Sequence, residues 1–164
     1  MSPGARLWVR LAAGAAVTVA CLLALAPPRP STHLSPAIAC VVGLGCGVVL
    51  FVLAARRRPA VRAASRRWPL VCARLAVFGL WAANEEVVWR RVALGELLPA
   101  GVFPAFVLST VGFALLHRVR RRVHLGTGGA FGVLYLSTGV LTASIVAHWT
   151  YNVLVGVHVE RSRA

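Results

Sequence analysis

Lysine and aspartate are absent from this chain of 164 residues, and glutamate occurs only as Glu85, Glu86, Glu96 and Glu160. Without aspartate no Ser-His-Asp hydrolase can be assembled. Charged residues make up 13% of the chain and hydrophobic residues 59%, whereas about a quarter of a soluble domain is charged. The polar surface that a soluble fold would need is missing, so the composition points to one membrane-embedded unit. Cys21, Cys40, Cys46 and Cys72 lie in or beside apolar runs, with no C-x-x-C and no histidine at zinc-finger spacing. They read as small buried hydrophobes with no redox or metal role.

What the chain has in quantity is arginine, which supplies all 18 cations and a net charge of +14. Such a charge suggests phosphate binding, but the arginines gather where apolar runs end, which is how membrane topology is marked. No nucleic-acid partner is therefore expected. Six membrane segments are predicted. The first covers about 7–26 and is closed by "PPRP"; the second covers about 35–55 and is ended by the basic loop "ARRRPAVRAASRRWP". The third begins near Pro69, and the fourth runs from about Pro104 to "RVRRR". The fifth and sixth share "LGTGGAFGVLYLSTGVLTASIVAHWTYNVLVGVHV", with a turn at Ser137-Thr138-Gly139. The first 26 residues resemble a signal peptide, yet further spans follow, so an uncleaved first span is expected. Six spans put both termini on one side together with 14 of the 18 arginines, and the positive-inside rule makes that side cytoplasmic. Residues 1–68 then form two accessory spans and a basic cytoplasmic loop, and residues 69–160 form the core.

An ionisable side chain at membrane depth costs about 2.5–3.5 kcal/mol and marks a candidate functional site. The apolar spans hold Glu85, Glu86, Arg90, Arg91, His117, His148 and Asn152. Glu86 and Arg90, four residues apart, are expected to pair across one helical turn as a structural ion pair. Glu85 points about 100° away and has no local partner, which leaves it free to accept a proton as a general base. Phe113-x-x-x-His117 ends the fourth segment, where a lone histidine is commonly structural. His148-x-x-x-Asn152 shares one face of the last helix and suits either oxyanion stabilisation or helix packing. If the third helix runs to about residue 98 and the fourth starts near 104, Glu85 and His117 each lie about 13 residues, roughly 20 Å, from the connecting turn. They would then sit at similar depth. His33, His124 and His158 fall at segment ends and read as interfacial. The five tryptophans read as anchors or packing.

In order, these motifs are E-E-x-x-x-R, F-x-x-x-H and H-x-x-x-N on successive apolar segments. The combination resembles the CAAX-protease and bacteriocin-processing (CPBP, or Abi) family of intramembrane proteases over about residues 74–156. The resemblance casts Glu85 as the water-activating glutamate, with Glu86, Arg90 and Phe113 supporting it. It casts His117 as the second-motif histidine, and His148 with Asn152 as the pair that polarises the scissile carbonyl. Two positions depart from the family pattern: Arg91 stands where glycine is usual, and Trp89 where phenylalanine is common.

The resemblance implies an all-α polytopic protein with about six transmembrane helices and catalytic residues on the third, fourth and sixth. The implied activity is endopeptidase cleavage of a membrane-associated protein or peptide by a glutamate-activated water, in the bacterial plasma membrane among its lipids. No cofactor is favoured. Zinc on Glu85, His117 and His148 is the alternative, although the chain lacks H-E-x-x-H. A non-catalytic scaffold or immunity-type partner of the same fold, or a proton-coupled carrier, are the competing functions. Only the protease needs Glu85, His117, His148 and Asn152 in one pocket.

Overall fold

The computed structural model describes residues 3–25, 30, 34–55, 68–117 and 120–161. Several features read from the sequence lie outside these residues: Pro27, Pro28 and Arg29, His33, the basic loop with Arg56, Arg57, Arg58, Arg62, Arg66 and Arg67, and also Arg118 and Arg163. Six helices and no strand occur among the described residues. We number them α1 (Pro3–Ala24), α2 (Pro36–Ala55), α3 (Trp68–Glu86), α4 (Val102–Leu116), α5 (Arg121–Thr138) and α6 (Leu141–Arg161). Five begin within three residues of a proline or an arginine cluster, and α5 ends at Gly139, whose φ of 67° is the left-handed cap that glycine adopts freely.

The third segment does not stop at Glu86. It continues as a π-helix over Val87–Leu94, a short α-turn over Gly95–Leu97 and a 3-10 turn over Leu98–Ala100. The result is one helical rod that reaches the turn at Gly101, as expected from the sequence. The π-helical stretch was not expected, since nothing in "VVWRRVAL" distinguishes it from an α-helix. Such wide turns recur beside functional sites, and this one starts directly after the glutamate pair.

The final helix is held from two sides. Gly43 and Gly47 of α2 face α6 so closely that a Cβ at either would stand 2.4 Å from the Ala143 carbonyl oxygen or 2.5 Å from that of Ala147. This is small-residue packing that lets two backbones touch. Ala39, Phe131, Leu134, Ala143 and Ala147 are buried together where α2, α5 and α6 meet. On the other side, the Trp149 indole N–H donates to the Leu75 carbonyl of α3 at 2.9 Å. A second buried cluster, Leu94, Ala105 and Tyr135, joins the end of the rod to α4 and α5. The buried hydroxyls of Ser109, Thr127, Thr138 and Ser144 bond carbonyls three or four residues back on their own helices, which satisfies them without a partner helix.

The outer surface is apolar. Leu23, Val41, Phe103 and Leu116 are each at least 70% exposed. Among the described residues one helix, Pro36–Ala54, is by itself long and apolar enough to cross a membrane; Leu11–Ala24 and Val102–Leu116 are shorter apolar helices. Cys21, Cys40 and Cys46 are free thiols.

Candidate active site

Three helices bring five of the polar residues together. α3 contributes Glu85 and Glu86, and its π-helical continuation contributes Arg90. His117 caps the end of α4, and His148 comes from the middle of α6. Glu86 and Arg90 are fully buried, and Arg90 Nε donates to Glu86 Oε2 at 3.2 Å. Glu86 also accepts from His148 Nδ1 at 2.9 Å, across 62 residues of sequence. The rest of the guanidinium lies over the Phe113 ring, 5.4 Å from its centroid, and Nη1 and Nη2 find no hydrogen-bond acceptor among the described residues.

Glu85 occupies the centre. One carboxylate oxygen lies 3.7 Å from His117 Nε2 and the other 3.7 Å from His148 Nε2. Both distances exceed a direct hydrogen bond. The outward nitrogens fix the tautomers. His117 Nδ1 stands 2.7 Å from the Phe113 carbonyl, which can only accept, so Nδ1 carries the proton. His148 Nδ1 likewise donates to the Glu86 carboxylate. In the neutral imidazoles both Nε2 lone pairs therefore face Glu85.

Phe113 is buried against several of these groups, with its ring centroid 4.6 Å from that of His117 and 6.2 Å from that of His148. Trp89 meets its edge at 6.2 Å. Asn152 lies one turn beyond His148, half-buried, and makes no hydrogen bond to these five residues. Arg91, in the usual glycine position, is half-buried in the π-helical stretch.

Three contacts were missed by reading the sequence. Trp81 Nε1–H donates to Glu85 Oε1; its four-residue spacing from Glu85 was the available signal. Phe131 stacks on His148 at 4.7 Å and 21°. His124, read as interfacial, stacks on His117 at 3.9 Å and 19°. For these last two no local spacing could have announced the contact.

A cavity of about 490 Å³ opens onto the site. Leu11, Gly14 and Val17 of α1, Trp81 of α3, Val88 and Trp89 of the π-helical stretch and Leu116 of α4 line it. Its polar wall is Asn84, Glu85 and His117. The first helix thus lines the same cavity as Glu85.

The Trp81 contact predicts a measurable effect. Trp81→Phe keeps the aromatic bulk and removes the N–H that holds the carboxylate. A hydrogen bond to a charged group contributes about 1.5–3 kcal/mol, so kcat is expected to fall about 10-fold or more. KM should be unchanged, and the thermal midpoint should fall, because the same bond contributes to the fold. Steady-state kinetics on the peptides described below, with a melting curve, check both.

Comparison with known proteins gives one match. A family model described as type II CAAX prenyl endopeptidase, Rce1-like, matches residues 66–154. No curated protein and no solved structure matches the chain. The matched span runs from α3 into α6 as far as Leu154 and holds all five clustered residues, and it leaves α1 and α2 outside.

Proposed function

The chain belongs to the Rce1-like type II CAAX prenyl endopeptidase family, and on that premise we propose that it is a polytopic membrane endopeptidase working through a water activated by Glu85. The observation that carries this reading is the setting of Glu85: a carboxylate held by Trp81, between two imidazole Nε2 atoms, at the wall of a largely apolar cavity. The family is one of integral membrane proteins, and the exposed leucine, valine and phenylalanine side chains suit contact with lipid. We place the protein in the bacterial plasma membrane, with both termini and the arginine-rich segments on the cytoplasmic side.

The chemistry follows from the donor and acceptor pattern. A water placed at Glu85 and His117 gives one proton to the carboxylate and the other to the His117 Nε2 lone pair. Its oxygen lone pair is then directed at a substrate carbonyl. As that oxygen adds to the carbonyl carbon, Glu85 takes the proton. When the tetrahedral intermediate collapses, Glu85 returns the proton to the leaving nitrogen and the C–N bond breaks. Glu86 and Arg90 hold His148 beside the carboxylate. His148 and Asn152 are the α6 groups that the resemblance assigns to the carbonyl oxygen.

Zinc is the second reading. It is favoured by the outer hydrogen bonds that fix both imidazoles with Nε2 turned toward Glu85, as in many zinc sites. As arranged here, no three His, Cys, Asp or Glu among the described residues stand where they could hold a metal ion.

Purified full-length protein in detergent tests the proposal. Two internally quenched peptides serve as probes: a farnesylated CAAX peptide and a non-prenylated single-span Leu/Ala peptide. Wild type is expected to cleave at least one, with a rate unchanged by 1,10-phenanthroline. His117→Ala is expected to be about 100-fold slower, within the range for a residue that positions a reacting proton. Loss of activity with chelator would move the reading to zinc. Failure to cleave either peptide would leave the fold with a scaffold role.

A further inference from the structure

His117 closes α4 in an extended conformation, with φ −88° and ψ 105°. Its side chain is 25% exposed, so the end of the helix does not by itself fix the ring. The bond from Nδ1–H to the Phe113 carbonyl is one tether, and a single hydrogen bond leaves the ring free to rock about it. The second restraint is His124 of α5, whose ring lies flat on that of His117, with 3.9 Å between centroids and 19° between planes. Phe113 stands 4.6 Å from His117 and 6.0 Å from His124. These separations put Phe113 close to a right angle from the stack, so it meets the His117 ring from the side while His124 covers one face.

The backbone is arranged to bring this ring in. Among the described residues Arg120 is the one non-glycine with positive φ, at 58°, and such a residue persists only where its surroundings hold it there. Its carbonyl accepts from the Val123 and His124 N–H groups at 2.8 and 3.2 Å, which starts α5 with His124 in its first turn. One turn further and on the same face, a Cβ at Gly128 would stand 2.7 Å from Phe113 Cδ1. The missing side chain at Gly128 lets α5 lie this close to α4, and His124 thereby reaches His117. The His124 nitrogens make no hydrogen bond among the described residues, so its contacts are those of the ring.

We propose that His124 is a positioning residue for the cleavage reaction: by stacking on His117 it sets the plane of that imidazole and keeps Nε2, 3.7 Å from Glu85, aimed at the place where water is activated. The inference rests on the endopeptidase reading and extends it to a residue outside the three motifs. His124 itself touches no reacting atom, and its effect runs through His117 alone. Misplacing a reacting group by about 1 Å can cost about 100-fold in rate, and the stack guards against part of that loss.

The test measures kcat and KM for His124→Ala, His124→Leu, His124→Phe, His117→Ala and the double variant His117→Ala/His124→Ala. The substrate is whichever of the two peptides wild type cleaves faster, Glu85→Gln is the inactive reference, and a thermal midpoint is taken for each. Loss of an aromatic stack corresponds to about a 3- to 10-fold change in rate. That fall in kcat, with KM within about twofold, is expected for His124→Ala. His124→Leu keeps the apolar bulk and loses the flat ring, so it should lose as much even if the alanine variant folds poorly. His124→Phe puts a ring back and should recover most of the loss. The midpoint of His124→Ala should also fall, because the stack contributes to the fold, so the double variant decides between the two roles. Once His117 is alanine, removing His124 should change kcat by less than about twofold. The same loss in both backgrounds, or a phenylalanine variant no better than the leucine one, would overturn the positioning role. So would His124→Ala and His124→Leu turning over within about twofold of wild type while Glu85→Gln is inactive, and either result would overturn this inference alone. Glu85→Gln cleaving like wild type, or no cleavage by any form, would overturn the endopeptidase reading and this inference with it.

Discussion

Glu85→Gln is expected to abolish cleavage, with a rate about 1,000- to 10,000-fold below wild type and an unchanged fold. Glutamine matches the shape of glutamate and still accepts the Trp81 N–H through its carbonyl oxygen, so the packing between α1 and α3 is kept. What is lost is the ability to take a proton from water at the moment of attack. General-base assistance is worth about 10²–10⁴ in rate, and here the same group also returns the proton to the leaving nitrogen. Glu85 is only partly buried, with its side chain 19% exposed, so losing its charge should not lower stability. The readout is the cleavage rate together with the thermal midpoint. A glutamine variant that cleaves within tenfold of wild type would mean that Glu85 is not the base.

The second large effect concerns folding. Arg90→Met is expected to destabilise the protein by about 3–5 kcal/mol, because it leaves the Glu86 carboxylate buried with its cation removed. The methionine fills part of the volume over Phe113 but cannot neutralise the charge. The double variant Glu86→Gln/Arg90→Met removes both charges and should recover much of that loss, since an apolar or neutral pair is often no worse than a buried ion pair. It should nevertheless stay slow as an enzyme, because His148 then loses its carboxylate partner. Thermal unfolding followed by tryptophan fluorescence in detergent, alongside cleavage rates, separates the two effects. An Arg90→Met variant as stable as wild type would show that the Glu86–Arg90 pair does not matter to the fold.

Much of the architecture could be read from where apolar runs stop. The prolines and arginine clusters mark the helix ends, and Gly139 falls at the turn expected between the last two helices. The E-E-x-x-x-R, F-x-x-x-H and H-x-x-x-N motifs pointed to the family that the match over residues 66–154 bears out. The pairing of Glu86 with Arg90 follows from helical spacing, and so does the contact of Trp81 with Glu85. Other features have no local signature. The bond from His148 to Glu86 spans 62 residues, and the stacking of Phe131 and His124 on the two histidines depends on how whole helices pack. Nor does any periodicity in α1 reveal that Gly14 lies against Asn84, because small residues recur along all of α1 and only the packing shows which one makes the contact. The π-helical stretch over Val87–Leu94 is the same kind of feature: valine and arginine there are compatible with either helix type, and the choice between them comes from the helices around it.

The central claim is that water activated by Glu85 attacks the peptide carbonyl directly. The most direct measurement is a single turnover, with protein in excess over the cleaved peptide, in water enriched in heavy oxygen, followed by mass spectrometry of the N-terminal product. Direct attack predicts one heavy oxygen in the new carboxyl group on the first turnover. A first-turnover product without heavy oxygen would mean that an enzyme carboxylate attacks and forms an acyl intermediate, and the absence of any product would contradict the endopeptidase reading itself.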